Sequence, residues 1–301
     1  MGSPLRLVTH GAAERAARRA WRAVVSDIER SEAALSRFRP ESDLSRLNVA
    51  APDGWGSPHR RLLAMLSAGR RAQRMTAGRF DPRVIRALEA LGEEAGVPLP
   101  RIPKPAADDP WLERAGRCRV RLRHPVDSGG IGKGLALRWA RRAAREALGA
   151  APGLLIEAGG DIVTAGPGPD DGQWTVAIED PLRPNASPAA VLRTGQAAVA
   201  TSSVTVRRWI APDGSAAHHL IDPRTGSPSE GGLLAVTVWH ADPAWAEVWS
   251  KALFLAGAAE IGPEARRRGM AAWWVEADGS LHLTPAARSL TIWTRAEAGA
   301  A

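Results

Sequence analysis

The apolar residues of this chain change their period partway along, and that change constrains the fold more than any other feature. From Ala12 to Phe38, the residues Trp21, Val24, Val25, Ile28, Leu35 and Phe38 recur at roughly helical spacing until Pro40 stops the pattern. Ser42 or Asp43 is placed to cap a short turn through Leu44 and Leu47. A second helix fits Arg60–Met75, carrying Leu62, Leu63, Met65, Leu66 and Met75, and closes near Gly78. After residue 118, strand-like runs take over: Val120–Val126, Leu154–Glu157, Trp174–Glu179, Ala197–Ala200, Leu234–Trp239, Ala272–Glu276 and Ser280–Leu283. Two helices interrupt them, one following Gly134 and one from about Pro243 to Leu255, entered through Asp242-Pro243. Helices first and strands later is an α+β order rather than regular βαβ alternation.

With 301 residues, 45% of them apolar, the chain can bury one large core or two closely fused halves. Val97–Pro110 reads as a linker-like loop and Gly166–Gly172 as a second, but neither separates regions of different composition. We therefore expect a single domain over residues 1–295 and a frayed tail at 296–301. No stretch approaches the ~20 apolar residues of a spanning helix, and the N-terminus lacks a secretory pattern, so no membrane insertion and a cytoplasmic location are expected. The single Cys118, expected on a strand, excludes an intramolecular disulfide and a Cys-rich metal site.

Net charge is +8, and residues 1–75 hold 14 Arg against 7 acidic residues. These Arg follow helical patterns without zinc spacing, nucleic-acid-binding aromatics or a long basic run, so a solvated helix face is expected rather than a nucleic-acid site. The same field would attract an anionic substrate. Of 40 basic residues only Lys104, Lys133 and Lys251 are Lys, a compact point charge that Arg does not replace at a tight site.

Four local motifs can carry chemistry. Asp127-Ser128-Gly129-Gly130-Ile131-Gly132-Lys133-Gly134 lies between a strand and a helix. Its glycines allow positive φ, the helix start offers free N–H groups to a phosphate, and Lys133 adds a cation. It is not a Walker A loop: Asp127 stands where the first Gly would be and Gly134 where the Ser or Thr would be. A purely structural glycine turn explains the same residues. Glu157-Ala158-Gly159-Gly160-Asp161 reads either as a tight strand-to-strand turn or as a place where carboxylates accept from ribityl or ribose hydroxyls. Thr201-Ser202-Ser203 precedes His218-His219-Leu220-Ile221-Asp222-Pro223-Arg224-Thr225-Gly226, in which Asp-Pro-x-Thr-Gly is a turn with Asx-type bonding. On a strand the two His face opposite sides, so one of them can act as a general base toward a hydroxyl. No GxSxG elbow supports a Ser hydrolase. Finally, Glu247 and Lys251 are i and i+4 on the last helix, which by itself reads as a helix-surface salt bridge.

In this order the motifs resemble the ApbE-type FAD:protein FMN transferase family. The similarity begins with Met1-Gly2-Ser3 and continues through Ser36–Asn48, Gly78-Arg79-Phe80-Asp81-Pro82, Asp127–Gly134, Gly159-Gly160-Asp161 and His219–Gly226. The resemblance implies an α+β fold with antiparallel sheets and packed helices, in two related halves around a flavin cleft. It implies FAD as substrate, with Met1, Arg79, Phe80, Asp81, Asp127, Lys133, Gly159, Gly160, Asp161, His219, Leu220, Asp222, Thr225 and Gly226 along it. It implies transfer of the FMN half to a Ser or Thr of an acceptor flavoprotein domain, with His219 taking the hydroxyl proton and Lys133 offsetting charge. It also implies Mg²⁺, held by the Gly130 carbonyl and by an Asp and a Thr of the last helix. Here Glu247 and Lys251 stand at those two places, and a protonated Lys replaces a ligand with a repelling charge. Two other activities use the same binding residues: an FAD pyrophosphatase giving FMN and AMP, and a non-catalytic FAD carrier with a degenerate metal site.

Overall fold

The computed structural model describes residues 4–93, 96–106 and 109–295. Met1 and the expected tail at 296–301 lie outside the described residues. The chain divides into two compact units. Ile28–Gly132 and Arg208–Ser229 form most of one, and Gly2–Asp27, Lys133–Arg207 and Glu230–Ala301 form the other.

The second unit is built on a seven-stranded sheet in the spatial order Leu5–His10, Gly153–Ala158, Asp161–Ala165, Ala198–Ser203, Leu233–His240, Ala271–Glu276 and Leu281–Leu283. Every neighbouring pair is antiparallel. The expected run Leu154–Glu157 is the core of one of these strands, Leu234–Trp239 falls one residue short at each end of its strand, and Ala272–Glu276 one residue short at the start of its own. Leu5–His10 and Asp161–Ala165 were not anticipated. Helix Pro243–Phe254 lies across the strands Ala198–Ser203 and Leu233–His240. It starts where expected: Asp242 accepts from the Ala244 N–H at 2.9 Å, and Pro243 occupies the first turn, where its missing N–H costs nothing. All of its residues except Trp245 and Lys251 are buried. A smaller sheet, Thr291–Thr294, Ala190–Thr194 and Trp174–Ile178, closes a second core in which Val176, Ile178 and Leu192 meet Val199 and Trp273 of the large sheet.

The first unit carries helix Arg60–Met75, which buries Leu62, Met65, Leu66, Gly69 and Ala72 at helical spacing. Ser42 caps helix Asp43–Val49, accepting from the Ser45 N–H at 3.0 Å. Trp55–Gly56, Arg119–Leu122 and Leu112–Ala115 form a three-stranded sheet. Cys118 lies in the turn that precedes Arg119–Leu122, exposed, and not on a strand as expected.

Helix Glu14–Leu35 forms where its period predicts, but its buried face is Ala20, Val24, Asp27, Ser31, Ala34 and Leu35. Trp21 is 39% exposed, and Phe38, which follows the helix, is 52% exposed. Period places a face only to within one position, and here small Ala and Ser residues, rather than Trp, point inward.

Candidate functional site

In the second unit, the site begins at a contact between two helix starts. Helix Gly132–Leu148 already includes Gly132, Lys133 and Gly134, which were expected to precede it. A Cβ at Gly134 would stand 2.3 Å from the Pro243 carbonyl oxygen and 2.6 Å from the Ala244 Cα, so the two helices approach as closely as only glycine permits. Across this approach the Gly134 N–H donates to Glu247 Oε2 at 2.7 Å. That corrects one expectation: at Gly134 the helix start does not offer a free N–H to a phosphate, because a carboxylate of the same unit already takes it.

Lys133 Nζ lies 2.7 Å from Asp161 Oδ2, and Asp161 Oδ1 accepts from the Thr201 N–H at 3.2 Å. Burial opposes the Lys133 charge, yet the carboxylates of Asp161 and Glu247 hold its pKa above the ordinary value. Glu247 is only 6% exposed, which replaces the expected helix-surface pair with a buried carboxyl. Burial pushes the Glu247 pKa up to about 7, with the Asp161 charge adding to the rise. Lys133, the Gly134 N–H and Lys251 pull it back. Hydroxyls pack around this cluster: Thr201 Oγ1 and Thr237 Oγ1 are 2.9 Å apart, as are Ser202 Oγ and Ser250 Oγ, and Ser250 Oγ donates to the Glu247 carbonyl at 3.0 Å. Gly159 and Gly160 form the two-residue turn between Gly153–Ala158 and Asp161–Ala165, with φ of +56° and +86°. The turn reading of this pair is therefore observed, and it leaves both glycines exposed beside Asp161.

In the first unit, Phe80 is buried, and its N–H is held by Thr76 Oγ1 at 3.0 Å. Asp81 caps the short helical turn Pro82–Val84 and is bound by Arg83 at 2.6 Å and by Gln73 Nε2 at 2.9 Å. Asp127 donates its N–H to the Pro82 carbonyl at 2.7 Å, and its Oδ1 is 3.3 Å from Arg37 Nε. Arg37 also reaches Glu93 at 2.9 Å. Gly130 has φ of +91°, which fits the glycine-turn reading of its loop. Asp222 holds the predicted turn: its Oδ1 accepts from the Arg224 N–H at 2.9 Å, and its carbonyl accepts from the N–H of Gly226, whose φ is +77°. The Thr225 carbonyl lies 3.5 Å from Lys104 Nζ. Hydrogen bonding to Arg224 is the main cause that holds the Asp222 carboxyl below its ordinary range, and the Arg79 charge contributes.

The two histidines do not sit on opposite faces of one strand, as the sequence suggested. His218 ends the strand Ala216–His218, while His219 lies in the bend after it and Leu220 is buried. The His218 ring bonds the Ser229 carbonyl at 3.2 Å and the Leu220 N–H at 3.3 Å. Burial lowers its pKa, the Ser229 carbonyl offsetting part of the shift. Both of its ring nitrogens are thus engaged by the backbone.

Mg²⁺ demands near-octahedral oxygen coordination. Within the second unit, Asp161 is already bound by Lys133 and the Thr201 N–H, one oxygen of Glu247 is bound by Gly134, and Lys251 adds positive charge. Among the described residues no three or more His, Cys, Asp and Glu side chains gather in a way that could hold a metal. These residues do not fit a bound Mg²⁺. Sequence reasoning missed Arg37, Thr237 and Ser250, since each acts on a partner far away along the chain.

Residues 1–274 match the ApbE family. An FAD:protein FMN transferase of Rhodobacter capsulatus is 30% identical over 306 residues, covering 96% of this chain and 56% of that protein. One of Salmonella typhimurium is 31% identical over 173 residues, covering 56% and 48% respectively. The chain thus spans about half the length of these curated relatives. An ApbE protein of Thermotoga maritima has the same fold, with a TM-score of 0.83 at 24% identity over 96% of both chains. The chain belongs to the ApbE family.

Proposed function

We propose that this protein transfers the FMN half of FAD to a Ser or Thr hydroxyl of an acceptor flavoprotein domain, and that residues 1–295 act as one catalytic domain. The observation that carries this reading is the Lys133–Asp161 pair at 2.7 Å, a fixed cation in the first turn of a helix beside an exposed glycine turn. Such a cation stabilises charge that develops on a phosphate. In the reaction the acceptor oxygen bonds to the FMN-side phosphorus, the pyrophosphate bond breaks, and AMP leaves with the bridging oxygen. His219 takes the hydroxyl proton. Lys133 and Lys251 offset the negative charge, so no step is assigned to a metal. The exposed thiol of Cys118 suits a reducing compartment, the cytoplasm.

The test is incubation with FAD and an acceptor domain, followed by mass spectrometry of the acceptor. FMN added to the acceptor with release of AMP supports transfer. Free FMN plus AMP would instead mean hydrolysis, and unchanged FAD would mean a carrier. His219→Ala should slow transfer by roughly 10²–10⁴-fold with FAD binding intact. His218→Ala should act mainly through stability, and the reverse ranking would show that the base is His218.

A further inference from the structure

Leu5–His10 is an edge strand of the seven-stranded sheet, and its open side is unusually well defined. The Gly159 N–H donates to the Pro4 carbonyl at 3.1 Å, which makes position 4 a hydrogen-bonded pair with 159. Antiparallel pairs alternate, so Arg6, Val8 and His10 bond to Gly153–Ala158. Leu5, Leu7 and Thr9 therefore turn their N–H and C=O groups to the open edge. Among the described residues no backbone bond outside the sheet reaches those groups.

Beside that edge lies a groove of about 490 Å³, lined by Leu7 and Thr9 of the strand and by Glu14, Ala17, Arg18, Trp21 and Arg22 of the adjoining helix. The helix residues sit at i, i+3, i+4, i+7 and i+8, one continuous face. Its middle, Ala17 and Trp21, is apolar. Arg18 is tied to Glu14 at 2.7 Å, while Arg22 has no ion pair among the described residues.

We propose that this edge is a docking site for an extended, acidic segment of another protein, added as a further antiparallel or parallel strand. Main-chain bonds to Leu5, Leu7 and Thr9 supply the pairing, an apolar side chain covers Trp21, and carboxylates meet Arg18 and Arg22. Charge selects this occupant, because the groove lining carries two guanidinium groups against the single carboxylate of Glu14. The proposal does not depend on FMN transfer.

The test uses the full chain and a dye-labelled eight-residue peptide of alternating Val and Glu, compared with one of alternating Val and Lys, by fluorescence anisotropy. The Glu peptide should bind at least tenfold more tightly than the Lys peptide. Arg18→Glu with Arg22→Glu, both exposed positions, should weaken it at least tenfold. Leu7→Pro removes an N–H that faces away from the sheet, a position where edge strands tolerate Pro, and should abolish binding in a protein whose circular dichroism is unchanged. Equal binding of both peptides, or Glu-peptide binding that survives Leu7→Pro, would overturn the proposal. So would sedimentation showing a dimer that Leu7→Pro converts to monomer.

Discussion

Glu247 Oε2 accepts the Gly134 N–H at 2.7 Å, joining a buried carboxylate on one helix to the first turn of another. The bond exists because residue 134 has no side chain. With a Cβ 2.3 Å from the Pro243 carbonyl oxygen, the helix starts would have to separate, and the carboxylate that faces Lys133 and Lys251 would lose its donor. One glycine thus positions the buried carboxylate of this charged cluster.

Gly134→Ala should therefore destabilise the protein by about 3 kcal/mol or more, the upper range of overpacking, because backbone atoms rather than flexible side chains stand in the way. Gly160→Ala is the control. Its φ is +86° but nothing lies within 4 Å of a Cβ there, so only the backbone strain of ~1–2 kcal/mol is expected. Urea unfolding of both variants measures the difference, and equal losses would remove the close-approach argument.

Lys133 and Asp161 should behave as a coupled pair. Asp161 is almost fully buried, and removing its partner leaves an uncompensated charge. Lys133 is a third exposed, so solvent moderates the loss, and Lys133→Met should cost about 2–3 kcal/mol. Adding Asp161→Leu should cost less than the sum of the two single changes. A double-mutant cycle by thermal or chemical unfolding reads the coupling, and strict additivity would mean that the ion pair contributes nothing.

Glu247 should also shape the pH dependence of stability. Its carboxyl has an ordinary value of 4.5 and is raised to about 7 in the fold. Between these values the unfolded chain is ionised while the folded one keeps its proton, so the unfolded state binds fewer protons and stability falls as pH rises through this window. The contribution is complete below 4.5 and gone above about 7. Glu247→Gln, which keeps an oxygen for the Gly134 N–H, should flatten this decline. Melting temperatures from pH 4 to 8 check it, and parallel profiles would show that Glu247 titrates normally.

The parts of the fold that were legible in the sequence are those set by local chemistry. Asp242-Pro243 starts a helix, Ser42 caps another, and Gly159-Gly160 makes a hairpin turn, each through residues a few positions apart. The strand Asp161–Ala165 was hidden because its first residue looks like the end of a turn motif, and Ala258–Arg267 because Pro263 interrupts its helical pattern. At the site, residue types were readable but commitments were not. Nothing near Lys133 in sequence reveals that Asp161 binds it, and i, i+4 spacing alone made Glu247 and Lys251 a surface pair. Burial of Glu247 depends on the strands beneath its helix, which arrive from distant parts of the chain.

The positive charge at this cluster has a consequence for metal dependence. Lys251 is one of only two residues of helix Pro243–Phe254 that are not fully buried, and its charge acts on Glu247 one turn away. With Lys133 it places two ammonium groups around a carboxylate that a divalent cation would otherwise neutralise. A fixed monovalent charge is a weaker electrophile than Mg²⁺, so slow turnover that is nearly indifferent to EDTA is expected of the wild type. Glu247→Asp with Lys251→Thr removes the Lys251 charge and supplies a shorter carboxylate and a hydroxyl. That double variant should lose activity in EDTA and regain it with Mg²⁺. FAD binding and turnover of both proteins, each with Mg²⁺ and with EDTA, complete the comparison. Strong EDTA sensitivity in the wild type would show instead that Glu247 and backbone carbonyls hold the metal while the Lys251 ammonium stays outside its coordination.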